Sequence, residues 1–186
     1  MRFTMGLPAL LALFFAGSAS AQGWVEYVDR EELFSVNLPH EPRVEEIVYH
    51  SEYNADFPAK VFTAEDGATV YKVIVVDYAG ASVVDVRGSV AYSAWNYRQR
   101  GGEVTFDAYA QVDRIEGHQL QITNPDQSRT YVAIHLHASR LYVLEATTPA
   151  GLPPPGHFQQ SLSILDETGH RIRYDLDADG VRTRVP

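Results

Sequence analysis

Lys60 to Tyr78 reads KVFTAEDGATVYKVIVVDY, two runs rich in β-branched and aromatic residues that meet at Asp66-Gly67. An Asp-Gly step between such runs is a strong hairpin signal, and it commits the middle of this chain to antiparallel sheet. The second arm, Thr69 to Tyr78, becomes almost wholly apolar at Val73-Ile74-Val75-Val76. A strand without polar alternation is one covered on both faces, so this arm is expected at the centre of a sheet with a layer on each side.

The rest of the chain can be read against that hairpin. Phe34 to Pro39, FSVNLP, alternates apolar and polar residues and stops at proline, as a half-buried strand does. After Tyr78 the period changes from two to that of a helix. Ser82 is placed as an N-cap with Asp85 three residues on, and Val83, Val86, Val90, Ala94 and Tyr97 recur on one face. Val84, Gly88, Tyr92 and Trp95 form a second apolar flank, which leaves Asp85, Ser89, Ser93 and Asn96 for water. Gly101-Gly102 ends the helix. Strands are then predicted over 103–112, 118–123, 129–137 and 141–147, the last three joined by the tight turns NPDQS and ASR. Connections this short make antiparallel neighbours. A stiff TPAGLPPPG loop follows, then a short helix carrying Phe158, Leu162 and Leu165 at i, i+4 and i+7. Segregated strands and helices make this an α+β chain: an antiparallel sheet flanked by one long and one short helix, with a C-terminal β-hairpin.

Three segments are expected. Residues 1–21 carry Arg2, an apolar stretch from Leu7 to Ala16 and Ala19-Ser20-Ala21, the pattern of a signal peptide cut after Ala21. That stretch is shorter than the ~20 residues a membrane span needs. Residues 22–165 make a single α+β domain, long enough to bury a core without staples. Residues 166–186 make the hairpin tail. There is no cysteine, so disulfides, thiol catalysis and thiolate metal sites are excluded. The formal charge of −9, which becomes −10 without Arg2, argues against nucleic acid and anionic lipid surfaces as electrostatic partners.

Two stretches of the tail repeat. DETGHRIR from Asp166 and DADGVRTR from Asp177 both read Asp-x-x-Gly-x-Arg-x-Arg, two successive turn-plus-strand units. Asp175, Asp177 and Asp179 also match the first three ligand positions of a calcium loop, with Gly180 at the sharp turn. Against calcium, the position that needs a bidentate Glu is Pro186, and the normally apolar position eight is Arg182. A hairpin turning on Asp179-Gly180 instead sets Asp177 opposite Arg182 and Asp175 opposite Arg184. Cross-strand ion pairs would then replace the cation.

Other candidate chemistry is sparse. His135 and His137 lie two apart on a strand and point the same way, so they can grip zinc or another transition metal; His118 or Glu145 could complete the set. The bland alternative is a strand face carrying two polar residues. Ser161 and Ser163 near His157 and Asp166 have no nucleophile-elbow motif around them. Tyr92 and Trp95 either form a recognition patch or are covered by the Pro-rich loop or second helix, and Gly88 beside them favours close approach of another backbone.

FSVNLPHEP, the mid-chain helix, RTYVAIHLHASRLYVLEATTP and FQQSL together resemble exported bacterial proteins of unknown function with a PsbP-like fold, that of the photosystem II extrinsic subunit. The resemblance covers Phe34 to Leu165 and leaves the tail aside. It implies a binding or assembly role without catalysis, and it carries no catalytic residue onto this chain. The expectation is therefore an exported, non-enzymatic module that holds an envelope protein or a small ligand. The alternatives are a metal-dependent enzyme or metal carrier on His135 and His137, and a calcium-stabilised tail.

Overall fold

The computed structural model describes residues 23–185, so the expected signal peptide and its cleavage site lie outside the described residues. The chain runs β1 (Val25–Asp29), β2 (Phe34–Leu38), β3 (Arg43–His50), β4 (Asp56–Asp66), β5 (Thr69–Asp77), α1 (Val86–Arg98), β6 (Glu103–Val112), β7 (Ile115–Thr123), β8 (Arg129–His137), β9 (Arg140–Thr148), α2 (Gly156–Gln159), β10 (Ser163–Ile164), β11 (Tyr174–Leu176) and β12 (Arg182–Arg184). Seven of these strands form one antiparallel sheet in the order β3-β4-β5-β9-β8-β7-β6. The expected hairpin sits inside it, pairing Asp66 with Thr69 around Gly67 at φ 58°. Positive φ at the first loop position is the glycine requirement of a II′ turn.

β5 lies near the middle of the sheet, and its run of valines is buried on both faces. Val73 and Val75 join Phe34, Phe62, Tyr142 and Phe158 on one side. Val76 joins Val90, Ala94, Leu120 and Ile134 on the other. The first face is closed by the small sheet β1-β2-β10, α2 and Ile172; the second is closed by α1 and the segment leading into it.

Several expectations need correction. Both helices are short: α1 has 13 residues and α2 has 4. α1 starts at Asp85, whose Oδ1 accepts the Gly88 N–H at 3.0 Å, and the Asp85 N–H is itself held by the Tyr53 hydroxyl at 3.0 Å. Ser82 is left outside the helix because Asp85 has that second anchor. Gly88 serves this cap, since a Cβ there would meet the Asp85 carboxylate at 2.7 Å. Ser89 and Ser93, expected in water, are buried, while Val83 is exposed. The β3–β4 turn rises against that side of the helix, and the Ser89 hydroxyl donates to Glu52. Leu162 and Leu165 are not helical. The segment after α2 adds to the free edge of β2, pairing Ser163 with Ser35 and Ile164 with Phe34. An isolated helix of this length is marginal, whereas β2 offers unpaired backbone groups and an apolar face.

The repeat in the tail makes two copies of one loop. Asp166 Oδ1 accepts the N–H groups of Thr168 and His170, and Gly169 has φ 85°. Asp177 Oδ1 likewise accepts those of Asp179 and Val181, and Gly180 has φ 77°. In both, the backbone N–H of the first residue donates to the carbonyl of the fifth. Asn124–Ser128 and Ser51–Ala55 close in the same way, with Gln127 and Asn54 at positive φ where the tail has glycine. The first tail unit is tied to the body, because Ile172 is buried in the core and its N–H bonds to the Ile164 carbonyl.

This loop also corrects the register of the C-terminal hairpin. The turn spans Asp177 to Val181, not Asp179-Gly180 alone, so Leu176 pairs with Arg182 and Asp175 with Thr183. The proposed Asp177–Arg182 and Asp175–Arg184 pairs do not form. Arg184 instead binds Asp166, and Asp177 spends its carboxylate on its own loop.

On the α1 face, Glu145 is buried with its charge answered. The Tyr97 hydroxyl donates to Oε2 at 2.7 Å, Arg100 Nη1 at 2.8 Å, and Lys72 Nζ stands 3.7 Å from Oε1. Burial alone would raise the carboxyl, but these three partners outweigh it and hold its pKa below the ordinary value. Glu145→Gln keeps the shape and removes the charge, and is expected to cost about 1–2 kcal/mol in urea denaturation at pH 7. The cost fades as pH falls through the lowered pKa, because protonation then removes the charge from the parent protein as well.

Candidate binding groove

α1 lies over β7 and β8 and stops short of β6, the edge strand beyond them. The space between helix and edge strand is a groove of about 730 Å³. Its helix wall is Val86, Val90, Ala91 and Ala94, and its opposite side is Tyr109, Ala110 and Gly117. Ala91 and Ala94 on the helix wall are what keep it open. Tyr109 is 92% exposed and stands edge-on to His118 at 5.6 Å between ring centroids.

One end of the groove is polar. Arg98 grips Asp107 with two bonds, Nε to Oδ2 at 2.7 Å and Nη2 to Oδ1 at 2.9 Å, and His118 Nε2 meets the same carboxylate at 2.5 Å. Arg98 first, and His118 after it, hold the Asp107 carboxyl down to about 2. This cluster is satisfied within itself. Among the described residues lining the groove there is no serine or threonine to act as a nucleophile beside it.

At the other end the groove opens into a second hollow of about 610 Å³. Val86, Arg87, Gln111 and Glu116 line both. Arg87 and Glu116 pair across the junction at 3.3 Å, a largely exposed contact that contributes little to stability. Val86, Ile115, Leu136 and Leu176 give the second hollow apolar walls.

The sequence-predicted sites fall as follows. His135 and His137 do share a face of β8, but His118 and Glu145 lie on the opposite face, since His118 pairs with Ile134 and Glu145 with Val132. Neither can complete a metal site with the pair. His135 is 3% exposed, and burial pushes its pKa down to about 4. His137 Nε2 is engaged by the Tyr174 hydroxyl at 2.9 Å. Among the described residues no three His, Asp or Glu side chains are grouped so as to hold a metal. That includes Asp175, Asp177 and Asp179, whose carboxylates do not converge. Ser161 accepts the Asn37 N–H at 2.9 Å and donates to the Phe158 carbonyl, a structural role.

Tyr92 and Trp95 stack on the outward side of α1 with ring centroids 6.0 Å apart, and Trp95 is 51% exposed. The expected cover is absent because α2 packs on the other face of the sheet through Phe158. Trp95 is one helical turn on from Ala91 and is not among the residues that line the groove. The groove itself escaped the sequence reading: Ala91, Tyr109 and Gly117 carry no motif, and their juxtaposition depends on where the helix stops. Among the described residues no helix is long and apolar enough to cross a membrane.

No protein-family model matches the chain, and no curated protein matches it. Among solved structures it is similar to the solution structure of cyanobacterial PsbP (CyanoP) from Synechocystis sp. PCC 6803, with 12% identity, 72% of this chain and 84% of that chain covered, and a TM-score of 0.44. No ligand, partner or activity follows from this similarity.

Proposed function

We propose that this is an exported, non-enzymatic binding protein whose ligand lies in the groove between α1 and β6. The observation that carries the reading is the groove itself, an open apolar channel beside an edge strand, walled by small side chains and flanked by polar clusters. Ligand sites are concave and mostly apolar with a few placed polar groups, and this is the part of the molecule that answers that description best. The N-terminal sequence supports export. Nile red, a neutral apolar dye, tests the groove. Ala91 is exposed, so Ala91→Phe fills the channel without touching the core. The variant is expected to bind the dye about tenfold more weakly at an unchanged melting temperature. Equal affinity in the two proteins would remove the groove from consideration.

The stacked Tyr92–Trp95 pair favours a second reading, an envelope protein docked on the outward side of α1, since interfaces enrich Tyr and Trp. Trp95→Ala separates the two. Loss of a co-purifying protein with dye binding intact supports docking, and equal recovery from both proteins rejects it.

A further inference from the structure

We infer that the ligand of this groove is a single-chain amphiphile with an oxyanion head, the alkyl chain lying along α1 and the head seated between Arg114 and Arg182. The inference rests on the groove reading above and adds the chemistry of its second hollow. That hollow lies where the sheet ends, between the β6–β7 turn, the β8–β9 turn, the first turn of α1 and the C-terminal hairpin. Its charged lining is Arg87, Arg114, Arg182 and Glu116, together with His137. Glu116 is taken by Arg87. Among the described residues, neither Arg114 nor Arg182 has a carboxylate within 4.0 Å. Two unpaired guanidiniums facing one hollow are conspicuous in a chain of net charge −9.

The acids that could neutralise them are occupied elsewhere. Asp113, next to Arg114, is bound by Arg171 and approached by Arg173 at 4.0 Å. Asp166 is bound by Arg184. Asp177 caps its own loop. Asp175 lines a neighbouring hollow with Arg114 but makes no ion pair with it.

Arg182 is also positioned. Arg182 Nη1 donates to the Arg114 carbonyl at 3.1 Å, and its guanidinium lies over the Tyr174 ring at 4.4 Å. Tyr174 in turn is fixed by its hydroxyl bond to His137. Among the described residues the remaining N–H groups of Arg182 have no hydrogen-bond partner, and they keep the planar fork that suits an oxyanion. Arg114 sits at φ 66°, beside Asp113 at φ 49°, in a two-residue turn where glycine is the ordinary choice. A long cationic side chain held in that conformation fits a site where backbone strain is retained for a purpose. The field is felt locally: after burial, Arg182 and Arg184 further depress the pKa of His137. Because Val86 and Gln111 line both hollows, a head at the arginines leads its chain past the exposed Arg87–Glu116 pair into the apolar groove.

Calorimetry on the full chain with dodecanoate, dodecanol and acetate tests this. Dodecanoate is expected to bind about tenfold or more tightly than dodecanol, and acetate at least a hundredfold more weakly than dodecanoate. Arg114→Gln and Arg182→Gln, both at exposed positions, should each weaken dodecanoate about tenfold and leave dodecanol unchanged. Equal affinity for dodecanoate and dodecanol, or arginine variants that bind dodecanoate like the parent, would overturn the head-group assignment. The groove reading would still stand if Ala91→Phe weakened both ligands. Acetate binding as tightly as dodecanoate would leave only a simple anion site and overturn the amphiphile. Failure of both twelve-carbon ligands to bind would overturn groove and head group together.

Discussion

Alanine at position 117 is expected to cost about 3 kcal/mol of stability, because among the described glycines this is the one where an added Cβ meets the closest contact. Gly117 pairs with His135 across β7 and β8 and with Ala110 across β6. A Cβ built there would stand 2.2 Å from His135 Nδ1 and 2.2 Å from the Ile134 carbonyl oxygen. The imidazole cannot swing away, because it is buried among Ile115, Tyr142 and the strands themselves. The carbonyl cannot move without opening the β7–β8 ladder. The midpoint of urea unfolding measures the loss. In a His135→Ala background the same substitution should recover only part of it, since the Ile134 carbonyl remains. An unchanged midpoint for Gly117→Ala alone would mean that the two strands are not this close.

Acid should weaken the protein well before its carboxylates protonate, and His135 is the reason. Burial holds its folded pKa at about 4, against about 6.5 in the unfolded chain. Between those values the unfolded state binds a proton that the folded state does not, so stability falls as pH falls. The contribution is complete above pH 6.5 and gone by about pH 4, and over that window it amounts to about 3 kcal/mol. His137, also lowered, adds in the same direction. Melting temperature followed from pH 7 to pH 4 reads the decline, and His135→Leu should flatten most of it. A parent protein as stable at pH 4.5 as at pH 7 would show that the imidazole is charged or wet. Below pH 4 a second decline is expected from the lowered carboxyls of Glu145 and Asp107.

Both effects meet at one contact, glycine against histidine on adjacent strands, and that contact marks where sequence reasoning stops. His135 and His137 were placed on one strand face correctly, because the two-residue period is a property of a single strand. Assigning His118 and Glu145 to the same face required the pairing register. A one-residue shift in register moves every side chain to the other face. The β6–β7 and β8–β9 turns set it, with Asp113-Arg114 and Ala138-Ser139 at positive φ; ASR marked the second turn in the sequence but not the register it imposes. The C-terminal hairpin failed in the same way, by one residue, when the Asp177 carboxylate chose its own loop over Arg182.

Burial followed the same division. Val73 to Val76 announced a covered central strand, and β5 is one. Ser89 and Ser93 gave no sign of burial, because the cover comes from a turn near residue 52 that is distant in sequence. β3 was missed altogether, since an edge strand exposed along most of its length has little reason to alternate.

From the residues in order came the antiparallel sheet, the Gly67 hairpin, the helix and its glycine stop, and the repeated Asp-x-x-Gly loop of the tail. Each follows from interactions between neighbours a few positions apart, which the chain carries wherever it goes. Tertiary structure alone decided which face each histidine takes, which arginines are left without acids, and that α1 halts before the edge strand and leaves a groove. Those outcomes depend on contacts between segments tens of residues apart, and such contacts exist only once the sheet has closed.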